Sequence, residues 1–174
     1  SNTVSGTVEF TVNGMDLLVT LTNTSAPTAT NGDVLTGVAF VPSITPLSLT
    51  MAEVPASGSY WTDKSTQVVA GADWTNNWTD QQGSNPFSPG TVAAAATGFK
   101  QKFQNPTGSG ADFGAVSNGT FPQGGNGPGN PNQFDLADDT VVLTFHSDFS
   151  LDGLTFSALR LLFGTDGTGI LFVP

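Results

Sequence analysis

Residues 7–22, TVEFTVNGMDLLVTLT, constrain the fold of this chain more than any other stretch. Apolar Val8, Phe10 and Val12 alternate with Thr7, Glu9 and Thr11, and Val4 precedes them as a further apolar position. After Asn13-Gly14 the alternation resumes through Leu17, Val19 and Leu21. A period of two puts one set of side chains on one face of a strand. Asn-Gly suits a type I′ turn, in which both central residues take positive φ. The stretch therefore predicts a β-hairpin turning at Asn13-Gly14.

Strand patterning continues on both flanks. VLTGVAFVP, ending at Pro42, predicts a third strand, and Leu47, Leu49 and Met51, spaced by two, predict a fourth. Near the end, DTVVLTFHSD sets Val141, Leu143 and Phe145 on one face and Val142, Thr144 and His146 on the other. LTFSALRLLF then predicts a strand to Phe163, followed by a Thr165-Asp166-Gly167 turn and a last strand to Pro174. Between Ala56 and Gly129 no period is sustained and turn formers dominate, so short strands and anchoring aromatics are expected there. VAAAATGFKQKF predicts one short helix starting at Val92, favoured by its alanines and stopped by Gly98. Strands, a loop-rich middle of about 56–130 and strands again, with no βαβ alternation, indicate an all-β fold. The expected architecture is an antiparallel, jelly-roll-like β-sandwich over 1–174 with at most one short helix.

The chain has 174 residues, 37% of them hydrophobic, which fits a single core. Its net charge is −10, and its only cations are Lys64, Lys100, Lys102 and Arg160. With no basic patch to displace counterions, nucleic acid is excluded as a partner, and anionic membrane surfaces repel the chain for the same reason. No run approaches the ~18 apolar residues of a membrane-spanning helix. The absence of cysteine removes disulfides and thiolate chemistry. Only 10% of residues are charged, with Gly, Thr, Ser, Asn and Pro in their place, a composition that points to a secreted protein.

Catalytic signals are sparse. His146, the single histidine, sits mid-strand with no Gly-x-Ser-x-Gly elbow before it, and reads as a strand-face residue. No carboxylate pair is spaced across a recognisable cleft, so the chain is not expected to be an enzyme. Asp148 and Asp152, like Asp135, Asp138 and Asp139, offer the oxygen ligands that calcium takes, although aspartate at such places is also ordinary turn chemistry. Trp61, Trp74 and Trp78 lie among Asn, Asp and Thr in the irregular middle. They suit either a stacking platform for polysaccharide or, the favoured reading, anchors holding long loops to the sandwich. Asn23, Asn77 and Asn118 each begin an Asn-x-Thr/Ser triplet.

LLVTLTNTS and GDVLTGVAF near the start, LTFHSDFSLDGLTFSALRLLFGTDGTG near the end, and the final FVP resemble the exosortase-dependent, PEP-CTERM-type surface proteins of Gram-negative bacteria. In that family a Val-Pro-Glu-Pro sorting motif follows the last strand, so Val173-Pro174 is expected to be its first half and both chain ends to be processing sites. The resemblance implies secretion and a place at the cell surface or in the extracellular biofilm matrix. The expected function is therefore structural: a protein that assembles head to tail into filaments by pairing its terminal strands with sheet edges of neighbours, with Val4, Val8, Phe10, Val12, Ile170 and Phe172 as interface residues. A carbohydrate-binding module using the three tryptophans is the alternative.

Overall fold

The computed structural model describes residues 4–25, 33–62, 66–80, 92–96, 113–117, 135–163 and 169–172. It is a β-sandwich of two curled sheets. Strands β1 (Gly6–Asn13) and β2 (Asp16–Asn23) form the expected hairpin, paired residue for residue from Gly6↔Asn23 to Asn13↔Asp16. Its loop is Gly14-Met15, one residue later than the Asn13-Gly14 turn that the sequence predicts. Gly14 has φ 66° and Met15 does not share the positive φ. Positive φ at the first central residue alone is the pattern of a type II′ turn, where glycine belongs.

The chain then crosses to the second sheet as β3 (Leu35–Pro42) and returns as β4 (Ser48–Val54). In the middle follow β5 (Tyr60–Trp61), β6 (Gln67–Val68), β7 (Ala72–Asp73), a 3-10 turn at Thr75–Asn77, β8 (Trp78–Asp80), β9 (Val92–Ala96) and β10 (Phe113–Val116). The chain closes with β11 (Asp135–Asp138), β12 (Thr140–His146), β13 (Phe156–Phe163) and β14 (Gly169–Phe172). One sheet runs β1-β2-β12-β4-β7. The other runs β14-β13-β3-β10-β11-β5-β6, with β9 also on β3 and β8 on β9. Every pairing is antiparallel except β10 with β11. Among the described residues no helix is long and apolar enough to cross a membrane.

The core lies between the sheets. Leu17, Val19 and Leu21 of β2 and Val141, Leu143 and Phe145 of β12 are fully buried, as their alternation predicts. Phe40 of β3 makes edge contacts with Phe10, Phe145 and Phe156, and Phe10 stacks on Phe156 at 3.9 Å. Fully burying each such side chain contributes about 1.5–3 kcal/mol.

One local expectation is corrected. Val92–Ala96 is a strand, not a helix: all five residues are buried, and β9 is hydrogen-bonded to β3 on one side and β8 on the other. Alanine's helix preference is worth only tenths of a kcal/mol per residue, less than two ladders of backbone bonds within the second sheet. The small side chains also make room for a large neighbour, since Ala96 sits opposite Trp78. The expected fourth strand forms as β4, but the period of two from Leu47 and Leu49 does not continue inward through Met51, which is 37% exposed. A bulge shifts the β4–β12 register, so that Phe145 faces Leu49 while Thr144 faces Met51. The extra residue reverses which side chains point inward, and Ala52 and Val54 fill the core instead.

Candidate assembly surface at the sheet edge

The eight residues of β1 form one border of the five-stranded sheet, hydrogen-bonded to β2 and to no other described strand. The hairpin's short loop fixes which groups are spent on that bond ladder. In a two-residue hairpin the closing pair, Asn13 and Asp16, exchanges hydrogen bonds, and bonded pairs recur every second residue. At the far end Thr24 N–H donates to the Ser5 carbonyl at 3.0 Å, in the same phase. Odd-numbered residues of β1 therefore bond to β2, and the N–H and C=O of Val8, Phe10 and Val12 point to the side on which no described strand pairs, as do those of Gly6, which is buried.

Side chains on this strand are divided in the same way. Thr7, Glu9 and Thr11 are exposed on the outer face, while Val8 and Phe10 are half-buried against the core. Val12 has the inward parity but is 40% exposed. Val4, ahead of the strand, is half-buried on the core. Natural edge strands are commonly kept short, kinked by a bulge, or guarded by Lys or Pro. β1 has none of these features. Its register with β2 is unbroken and Glu9 is its single charge. Among the described strands the other edges are shorter, with two residues each in β6 and β7, three in β8 and four in β14.

The C-terminal candidates Ile170 and Phe172 lie on β14, in register with Leu161 and Leu159 of β13. Both terminal strands are thus paired inside their own subunit, and each has one side on which no other described strand pairs. The Thr165-Asp166-Gly167 turn, Val173, Pro174 and Asn118 lie outside the described residues.

The remaining candidates are placed as follows. Trp74 and Trp78 are buried, 3% and 4% exposed, and belong to the main core, while half-buried Trp61 packs against Val34, Val116 and Leu136. Tyr60 meets Trp74 edge-on at 6.0 Å. With two of the three indoles inside, they hold the middle segment to the sandwich and form no exposed platform. Asp148 and Asp152 are exposed in the β12–β13 connection, where Ser147 and Ser150 hydroxyls accept the N–H groups of Phe149 and Asp152. No three His, Asp or Glu side chains among the described residues are grouped to hold a metal ion. Asp138 accepts hydrogen bonds from Ser59 Oγ and Gln67 Nε2 at 3.1 and 2.8 Å, and Asp139 turns the chain into β12 at φ 68°. Asp73 is held below the ordinary aspartate range by the Thr75 hydroxyl and N–H.

Two arrangements were not visible in the sequence. His146 is paired across strands with Asp16, Nδ1 to Oδ1 2.7 Å, on the solvent-facing side of the sheet. Alternation places His146 outward, but only the β2–β12 register supplies its partner. The second is Asn23, which is 2% exposed. Its Nδ2 donates to the carbonyls of Asp33 and Ala115, both at 2.8 Å, and its Oδ1 accepts Ser25 N–H at 3.1 Å. This amide ties β2 to β10 in the opposite sheet and is not available for glycosylation.

No family model, curated protein or solved structure matches this chain. The functional reading accordingly rests on the geometry and the sequence.

Proposed function

We propose that this is a secreted structural protein of the bacterial cell surface or extracellular matrix, biofilm included, which assembles with copies of itself by strand addition at its sheet edges. The observation that carries the reading is β1: eight residues, one side on which no described strand pairs, unbroken register and no guarding Lys, Pro or bulge. The surface and matrix location follows from the composition and from the PEP-CTERM resemblance. Because β1 is bonded along its whole length to β2, assembly proceeds by adding edge to edge and not by surrendering the strand to a neighbour. The test is negative-stain electron microscopy of the purified protein alongside size-exclusion chromatography across a concentration series. Concentration-dependent oligomers or filaments are expected, and a monomer at every concentration overturns the reading.

A further inference from the structure

We infer that two copies of this chain pair antiparallel through β1 about a two-fold axis at Phe10, joining their five-stranded sheets into one continuous sheet. This rests on the self-assembly reading and specifies its first contact. A two-fold axis normal to the sheet keeps outer faces with outer faces, so it must pass through a residue position opposite its own copy. Three centres make use of the open edge: Val8, Glu9 and Phe10.

Glu9 as the centre brings two carboxylates directly opposite each other on the outer face, a destabilising cross-strand pair. Val8 as the centre fails for a reason in the second sheet. β1 lies over β13 with opposite sense, Gly6 above Leu161 and Phe163 and Phe10 stacked on Phe156. Among the described residues β14 extends the second sheet beyond β13 at Leu159–Leu162, beside the Gly6 end. A Val8 centre sets Gly6 opposite Phe10 of the second copy, driving β14 into the place where that copy's Phe156 supports its Phe10. A Phe10 centre sets Gly6 opposite the turn residue Gly14, past that stack.

The Phe10 register also matches side chains. Val8 lies opposite Val12 of the second copy, covering the valine that the monomer leaves 40% exposed. Glu9 lies opposite Thr11, so its carboxylate meets a hydroxyl. The outward backbone groups of Val8, Phe10 and Val12 pair with their counterparts, about six hydrogen bonds in all. The contact is isologous and closes as a dimer, so further growth needs an edge away from it, such as β7 at the far border of the same sheet. A single strand pair is a small interface, and its association is concentration-dependent.

The absence of cysteine gives a direct test. Glu9→Cys and Thr11→Cys proteins are mixed, oxidised mildly and compared with each variant oxidised alone on a non-reducing gel. Glu9 and Thr11 form a non-bonded pair, the closer type, so the mixture is expected to give several-fold more covalent dimer than either variant alone. More dimer from Glu9→Cys alone than from the mixture overturns the Phe10 register in favour of the Glu9 centre. If the wild type associates by sedimentation but the mixture does not cross-link, this contact is refuted while the assembly reading stands. A wild type that stays monomeric with an unlinked mixture refutes both. Val12→Pro removes an outward N–H without touching the bonds to β2, and such edge positions tolerate proline. With its circular dichroism unchanged, it is expected to weaken association at least tenfold, and wild-type association by this variant also overturns the proposal.

Discussion

Replacing Asn23 by alanine removes three hydrogen bonds at the place where the two sheets are tied together. Its amide donates to the Asp33 and Ala115 carbonyls and accepts from Ser25 N–H, and Ser25, Asp33 and Ala115 are all at least 95% buried. At roughly 1 kcal/mol net per bond the loss is about 3 kcal/mol. Water reaching the freed groups lowers that figure, and leaving them dry raises it. Asn23→Asp is a sharper version, since it turns a carboxylate toward two carbonyl oxygens in a buried site. Burial and those dipoles raise the aspartate's folded pKa above its unfolded value of about 3.9. A group raised in this way keeps its stability contribution below the unfolded pKa and loses it as pH rises through the folded one. Asn23→Asp is therefore expected to be less stable than Asn23→Ala at pH 7, with the gap closing near pH 4. Urea denaturation of wild type and both variants at the two pH values reads this directly. A cost below ~0.5 kcal/mol for Asn23→Ala would show that the amide is not the tie between the sheets, because exposed substitutions commonly fall in that range.

Other predictions follow from packing and local bonds. Phe145→Ala, fully buried and edge-on to Phe40, is expected to cost about 3–5 kcal/mol in the same denaturation assay. Met51→Glu is expected to stay within about 0.5 kcal/mol of wild type while Ala52→Glu prevents stable folding, and the reverse order would contradict the bulge in β4. Thr75→Val should move the Asp73 carboxyl titration toward the ordinary aspartate value in an NMR pH series, since the Thr75 hydroxyl is the largest cause of its depression.

The hairpin, the third strand and the inward faces of β2 and β12 were legible because alternation and a turn signal agree over short distances. Leu17, Val19, Leu21, Val141, Leu143 and Phe145 all lie where a period of two puts them. The inserted residue in β4 defeats that logic, because it carries Met51 outward without any local signal in the sequence. The Val92–Ala96 strand was hidden for a different reason: alanine's own preference is helical, and its longer ladder is to β3, distant in the chain. The same holds for the assembly surface. Residue types mark β1 as a strand, but its position at a border depends on β2 taking β12 as its other neighbour, more than a hundred residues away. His146 finds Asp16, and Asn23 finds Ala115, through long-range registers of this kind.

The central claim, assembly through the open side of β1, is tested most directly by residue-resolved amide hydrogen exchange across a protein concentration series. In the monomer the odd-numbered amides bonded to β2 should exchange slowly, and those of Val8, Phe10 and Val12 should exchange fast. The account predicts that Val8, Phe10 and Val12 become protected as concentration rises while the odd-numbered amides change little. Fast exchange at these three residues in samples that sedimentation shows to be associated would contradict it.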